Sequence, residues 1–261
     1  MNQKSLKGII NDYFSEYLKD SNTLAIVITG SYSRNINDMY SDIDWVLIVK
    51  KNKIGYSGFK ETFENMEFDC RIEEFNNLDK GEWNMSQYFA YLNCKIYFDK
   101  NNIFEKLINK KKREWKIYLK KLISIRLVEC SVFLRFPKEF SELVVKRTHY
   151  EKFSLRRDFY SSYNCLNIIQ NQLIDLCYLA NCMPIPDDKN KLRNIDEYDF
   201  ANLLRQCYIT SSYKLTSIED LENIYEIYKN ILLEILKSVN HNFDFDNNIK
   251  IYYYKYRGEI N

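Results

Sequence analysis

The chain has 261 residues, 46% of them hydrophobic, 28% charged and 16% aromatic, with 38 Lys and Arg set against 36 Asp and Glu. That balance is too apolar and too evenly charged for a disordered protein, and a formal charge of +2 argues against a protein whose main task is to coat a polyanion. The length favours two domains of ordinary size, each burying its own core.

No apolar run approaches the ~20 residues that span a bilayer, and the opening MNQKSLKGIINDYF is too polar for a secretory signal. A soluble, cytoplasmic protein with no membrane partner is expected. Residues 5–19 place Leu6, Ile9, Ile10, Phe14 and Leu18 at helical spacing, with Asp20, Ser21 and Asn22 as a stop. TLAIVIT (23–29) reads as a buried strand ending at Gly30, and IDWVLIVK (43–50) as a second. MEFDCRIEEF (66–75) alternates as a third, and CKIYF (94–98) is a fourth candidate.

From about Ile103 long amphipathic helices take over. Pro137 breaks the run that starts there, because proline cannot continue a helix interior, and 139–182, 196–208 and 217–239 keep helical periodicity. Thr216 and Glu219 have capping-box spacing at the head of the last segment. IKIYYYKY (249–256) reads as a late strand or an extended arm. The expected fold class is α+β, an N-terminal mixed sheet flanked by helices (1–110) followed by a C-terminal helical bundle (111–261).

The cysteines Cys70, Cys94, Cys130, Cys165, Cys177, Cys182 and Cys207 are scattered, odd in number and never paired as CxxC. They read as buried thiols in a reducing compartment. Two histidines are too few for a His-based metal site, and six glycines exclude a glycine-rich dinucleotide loop. His149, between Val145 and Phe153 on a helix, reads as a partly buried structural histidine. Lys110, Lys111, Lys112 and Arg113, with Lys116, Lys120 and Lys121, read as the solvated face of a helix.

One stretch carries chemistry. Gly30-Ser31-Tyr32-Ser33-Arg34 is followed, after seven residues, by Asp42-Ile43-Asp44 at the mouth of a hydrophobic strand. Alternation puts Asp42 and Asp44 on one face, their Cα atoms ~6–7 Å apart, where two carboxylates can share divalent cations. Magnesium prefers hard oxygen ligands and keeps positions open for water and phosphate. Gly30 lets the backbone approach a ligand closely, and Ser31 adds a hydroxyl. A short helix over 33–39 would aim free N–H groups at an anion. On the third strand Glu67, Asp69, Arg71 and Glu73 share a face. Asp69 is the choice for a third metal ligand, a general base, or both, and a cross-strand pair with Arg71 or Lys95 is its structural alternative.

The pattern hGSxxR…SDIDhhhh, followed by h-Asp-h on a later strand, resembles the nucleotidyltransferase superfamily that includes DNA polymerase β. The two-domain layout resembles the aminoglycoside and lincosamide nucleotidyltransferases. Arg156-Arg157-Asp158, Asn181 and Pro186-x-x-Lys189-x-Lys191 are similar to the helix-plus-lysine pattern such enzymes place beside the nucleotide. The resemblance implies Mg2+-dependent transfer (one or two ions) of a nucleoside monophosphate, AMP from ATP as the first choice, to an acceptor hydroxyl with release of pyrophosphate. By position it implies that Gly30, Ser31 and Arg34 bind the nucleotide, that Asp42, Asp44 and Asp69 hold metal and act in catalysis, and that Lys189 or Lys191 meets the triphosphate. The active site is expected in a cleft between the domains.

The expected partners are the NTP and a small hydroxylated acceptor, an aminoglycoside-type antibiotic leading, drawn by Glu67, Glu73, Glu74, Asp158, Asp187 and Asp188. One rival is a nucleotidyltransferase toxin acting on tRNA or a protein, which asks for a continuous basic surface along 110–121. Another is a nucleotide-binding protein without turnover.

Overall fold

The computed structural model describes residues 5–53, 55–137, 147–188, 190, 191, 195, 198–208 and 215–243. The expected late strand at 249–256 lies outside the described residues. The chain divides into two compact units, Met1–Trp115 and Lys116–Asn261.

In the first unit, helix α1 (Leu6–Lys19) starts where the Ser5 side chain accepts a hydrogen bond from the Gly8 amide. Strand β1 (Thr23–Ile28) follows, then the single helical turn α2 (Gly30–Ser33) and strand β2 (Ile43–Val49). Strands β3 (Gly58–Phe63) and β4 (Met66–Glu74) form a hairpin. Helices α3 (Phe75–Lys80) and α4 (Met85–Leu92) come next, and strand β5 (Lys95–Asp99) completes a five-stranded sheet of order β3-β4-β2-β1-β5. The sheet is mixed: β2 runs parallel to β4, while the β1–β2, β1–β5 and β3–β4 pairs are antiparallel. β1 is buried along its whole length, as expected of a strand covered on both faces.

Alternation decides what each face does. Ile43, Trp45 and Leu47 of β2 and Phe68, Cys70 and Ile72 of β4 join Tyr13 and Phe14 of α1 in one core cluster. Trp45 and Phe68 are almost fully buried. The Tyr13 ring stacks on Phe68 at 3.7 Å and meets Trp45 edge-on at 5.7 Å, arrangements that suit the ring quadrupoles. The odd-numbered residues of β2 are thus locked into the α1 side, and Asp44 is left on the other face.

Three elements were not anticipated. β3 (GFKETF) has no fully buried residue and no apolar run. α3 and α4 are short, although Asn84 and Gln87 form a full capping box at the start of α4. The helix expected over 33–39 is instead the turn at 30–33, ended by Asn35 at φ +60°.

Helix α5 (Ile103–Phe133) is shared by the two units. The second unit continues with α6 (His149–Leu155), α7 (Phe159–Ala180), α8 (Ala201–Tyr208) and α9 (Ile218–Phe243). The segment expected as one helical run over 139–182 is therefore broken. Arg157 takes φ +56°, and Asp158 restarts the helix by accepting from the Ser161 amide. The cap of α9 is shifted by one residue from the expected Thr216–Glu219 pair: Ser217 Oγ accepts from Asp220 N at 3.1 Å and Asp220 Oδ2 accepts from Ser217 N at 2.9 Å. His149 is exposed, not partly buried, and its ring lies 5.3 Å from that of Phe133. No helix among the described residues is long and apolar enough to cross a membrane.

Candidate active site

The register of the sheet assembles the site. Asp44 of β2 is the parallel register partner of Asp69 of β4, so the two point the same way from adjacent strands. Asp42 stands one residue before β2 and, by alternation, on the face of Asp44. The three half-buried carboxylates each offer an oxygen within 4.8 Å of the others.

Gly30 closes the arrangement. Its φ of +63° lies in the left-handed region, and a Cβ built there would stand 1.9 Å from Asp44 Oδ2. Only glycine tolerates both the conformation and the approach. The bend is tied to the strand by Thr29 N donating to Asp44 O at 2.8 Å. Ser31 follows in the turn and is buried. The half-buried Arg34 donates from Nε to the Gly30 carbonyl at 3.2 Å and lies over the Phe89 ring at 5.0 Å. Lys95 braces the end of the turn through the Tyr32 carbonyl and Asn35 Oδ1. The Tyr32 phenol is raised above its usual pKa, first by burial and then by the charges of Asp38 and Asp42.

Asp69 pairs with neither Arg71 nor Lys95. Its partner is Lys60 of β3, whose Nζ lies 2.6 Å from Asp69 Oδ2 and 3.6 Å from Asp42 Oδ2. The Lys60 ammonium is held above its usual pKa, chiefly by the hydrogen bond to Asp69. Sequence reasoning missed Lys60 because it missed its strand. The usable signal was the short distance from Phe59 and Phe63 to the alternating run at 66–74, a hairpin-like spacing.

This donor set fits a divalent metal. It is three hard carboxylate oxygens, held by a backbone that leaves no room for a side chain at Gly30, and a cation already sits against two of them.

Lys191 belongs to the second unit, where its Nζ lies 3.0 Å from Asp175 and 2.9 Å from Asp188. Lys189 is outside the described residues. Arg157 pairs with Glu219, Asp158 caps α7, and Asn181 ends α7 by donating to the Cys177 carbonyl. Of the acids expected to attract a cation, Glu73 meets Tyr91, Glu74 accepts from Asn52 N, and Asp187 accepts from Asn190, leaving Glu67 exposed on the face of Asp69. In the basic run Lys112, Arg113, Lys116, Lys120 and Lys121 are exposed as expected, whereas Lys110 pairs with Asp79, and Lys111 is buried, bonded to the Gly81 carbonyl and Glu114.

Residues 10–153, more than half of the chain, match the family model described as the nucleotidyltransferase domain. A solved structure of a nucleotidyltransferase-like protein from Exiguobacterium sibiricum 255-15 is similar at 12% identity and a TM-score of 0.46, covering 91% of this chain and 78% of that one. No curated protein matches the chain.

Proposed function

The chain belongs to the nucleotidyltransferase domain family, and on that footing we propose that it moves AMP from ATP, as the magnesium complex, to a hydroxyl of a small cationic acceptor such as an aminoglycoside. The observation that carries this reading is the convergence of Asp42, Asp44 and Asp69 beside Gly30.

Asp42, Asp44 and Asp69 are the residues that would hold one or two magnesium ions. Such ions supply charge neutralisation on the phosphates and on the leaving pyrophosphate. The chain's own part is positioning and proton transfer. Asp69 accepts a hydrogen bond from the acceptor hydroxyl and takes its proton as the oxygen attacks the α-phosphorus. The bond from that phosphorus to the pyrophosphate oxygen breaks in line, and pyrophosphate leaves with the electron pair. Gly30 and Ser31 form the bend against which the phosphates rest. Arg34, directed at the Gly30 carbonyl and Phe89, shapes that bend from behind. Lys191 would have to abandon two carboxylates to reach a phosphate, and we assign it to holding the loop after α7.

Glu67 supports a cationic acceptor, because it offers an exposed carboxylate two residues from the base on the same face of β4. The nucleic-acid alternative loses support from Lys110 and Lys111, whose ammonium groups are spent within the first unit.

The deciding experiment is a pyrophosphate-release screen with all four NTPs against aminoglycosides, lincosamides and tRNA. The expected result is release with ATP and an aminoglycoside. Asp44→Asn, isosteric but unable to hold a cation as an anion does, should lower the rate by about 100-fold or more with the fold intact by circular dichroism. An unchanged rate would end the metal reading, and release only with tRNA would replace the acceptor class.

A further inference from the structure

Strand β3 brings a cation to the acidic cluster, and its placement is built into the fold. Lys60 is the antiparallel register partner of Asp69, and its ammonium reaches both Asp69 and Asp42. The strand is pinned from its other side, where Glu61 accepts hydrogen bonds from Tyr13 and Tyr17 of α1. Alternation then sends Lys60 to the carboxylate face. The side chain nevertheless stays 66% exposed, so the ammonium can swing into water without disturbing the strand.

We propose that Lys60 is an intrinsic competitor of the divalent ion: its ammonium holds the cation's place on Asp69 and Asp42 in the nucleotide-free protein and must leave before those oxygens coordinate metal. An ammonium and a divalent ion that approach the same two carboxylate oxygens compete for them, since like charges a few ångströms apart repel by about 1 kcal/mol per pair of unit charges in water and by several times that near a protein surface. A triphosphate changes the balance, because it offers the displaced ammonium new anionic oxygens. Metal entry therefore becomes coupled to nucleotide entry, and the nucleotide-free protein has low metal affinity by construction. This inference rests on the metal role proposed for the three aspartates.

The test is calorimetric titration of MnCl2 into the 261-residue chain, its Lys60→Met and Lys60→Gln variants, and Asp44→Asn, first alone and then with a non-hydrolysable ATP analogue. Without nucleotide, both Lys60 variants should bind Mn2+ about tenfold or more tightly than the wild type. The analogue should raise Mn2+ affinity far more in the wild type than in the variants. Variants that bind Mn2+ no more tightly than the wild type, in a protein whose Mn2+ binding Asp44→Asn weakens, would overturn the role of Lys60 and leave the metal site standing. No Mn2+ binding by any of the four proteins, with or without the analogue, would bring down the metal site and this inference with it.

Discussion

Gly30 and Asp44 work as a matched pair. The carboxylate occupies the space that any other residue's Cβ would need, and the left-handed φ would add roughly 1–2 kcal/mol of strain to a non-glycine residue. Gly30→Ala should therefore cost a few degrees in Tm and, by pushing Asp44 aside, lose most of the activity, a combination that a merely structural glycine would not give. Asp69→Asn separates two roles. As general base it should lower kcat by about 100-fold or more while the Kd for ATP stays close to that of wild type by calorimetry; a large loss of nucleotide binding with little change in the chemical step would remove the base role and leave Asp69 a metal ligand alone. The pairing of Asp42 with Asp44 was legible because a strand's period of two needs only the sequence to be seen. Lys60 was not, because its position depends on a strand pairing that the exposed residues of GFKETF do not announce.

Among the elements, helix α6 shows how charge fixes an entry point. Thr148 and Glu151 form a capping box, and Arg135 grips the same carboxylate with Nε and Nη2. Burial alone would push Glu151 up, but the Arg135 hydrogen bond, the Thr148 amide and the charge of Arg135 outweigh it and leave its pKa below the ordinary 4.5. The folded protein then holds that proton less tightly than the unfolded chain, so this stabilisation is present above about pH 4.5 and is lost as pH falls through the folded value. Glu151→Gln should lower Tm at pH 7 and flatten the acid limb of a Tm-against-pH curve; an equally steep limb would refute the assignment. Ser217→Ala should cost about 1 kcal/mol in a denaturant melt, and Thr216→Ala much less, because the Ser217 hydroxyl is the one that accepts from Asp220 N. The sequence located this helix but not its first residue, since Thr216 and Ser217 are both good caps and each is followed three positions later by an acid.

Across the whole molecule, the chain divides into two compact units. Asp175 of α7 lies near Arg126 and Lys191, and its side chain is only 13% exposed. Asp175→Asn removes a carboxylate shared by Lys191 and Arg126, which keep Asp188 and Glu129 beside them, a loss of about 1 kcal/mol for partly exposed pairs. The second unit should melt earlier, while Mn2+ binding at Asp42, Asp44 and Asp69 stays unchanged at 25 °C; lost Mn2+ binding would refute an effect confined to the helices around Asp175. The change from strands to helices near residue 103 was plain in the hydrophobic periodicity. The breaks within the helical half were not, because Arg157 and Asp158 interrupt the run through backbone geometry at an ordinary polar sequence.

Helix α5 gives Ile103–Trp115 to one unit and Lys116–Phe133 to the other. Trp115 is buried, with Tyr88 4.9 Å away, so a gene truncated at that border would end on a core tryptophan at a frayed helical terminus. Extending a sheet-bearing fragment by about two or three helical turns would bring in Leu119 and Ile123, which are buried and belong to the second unit, so both would need recoding to polar residues before crystallisation.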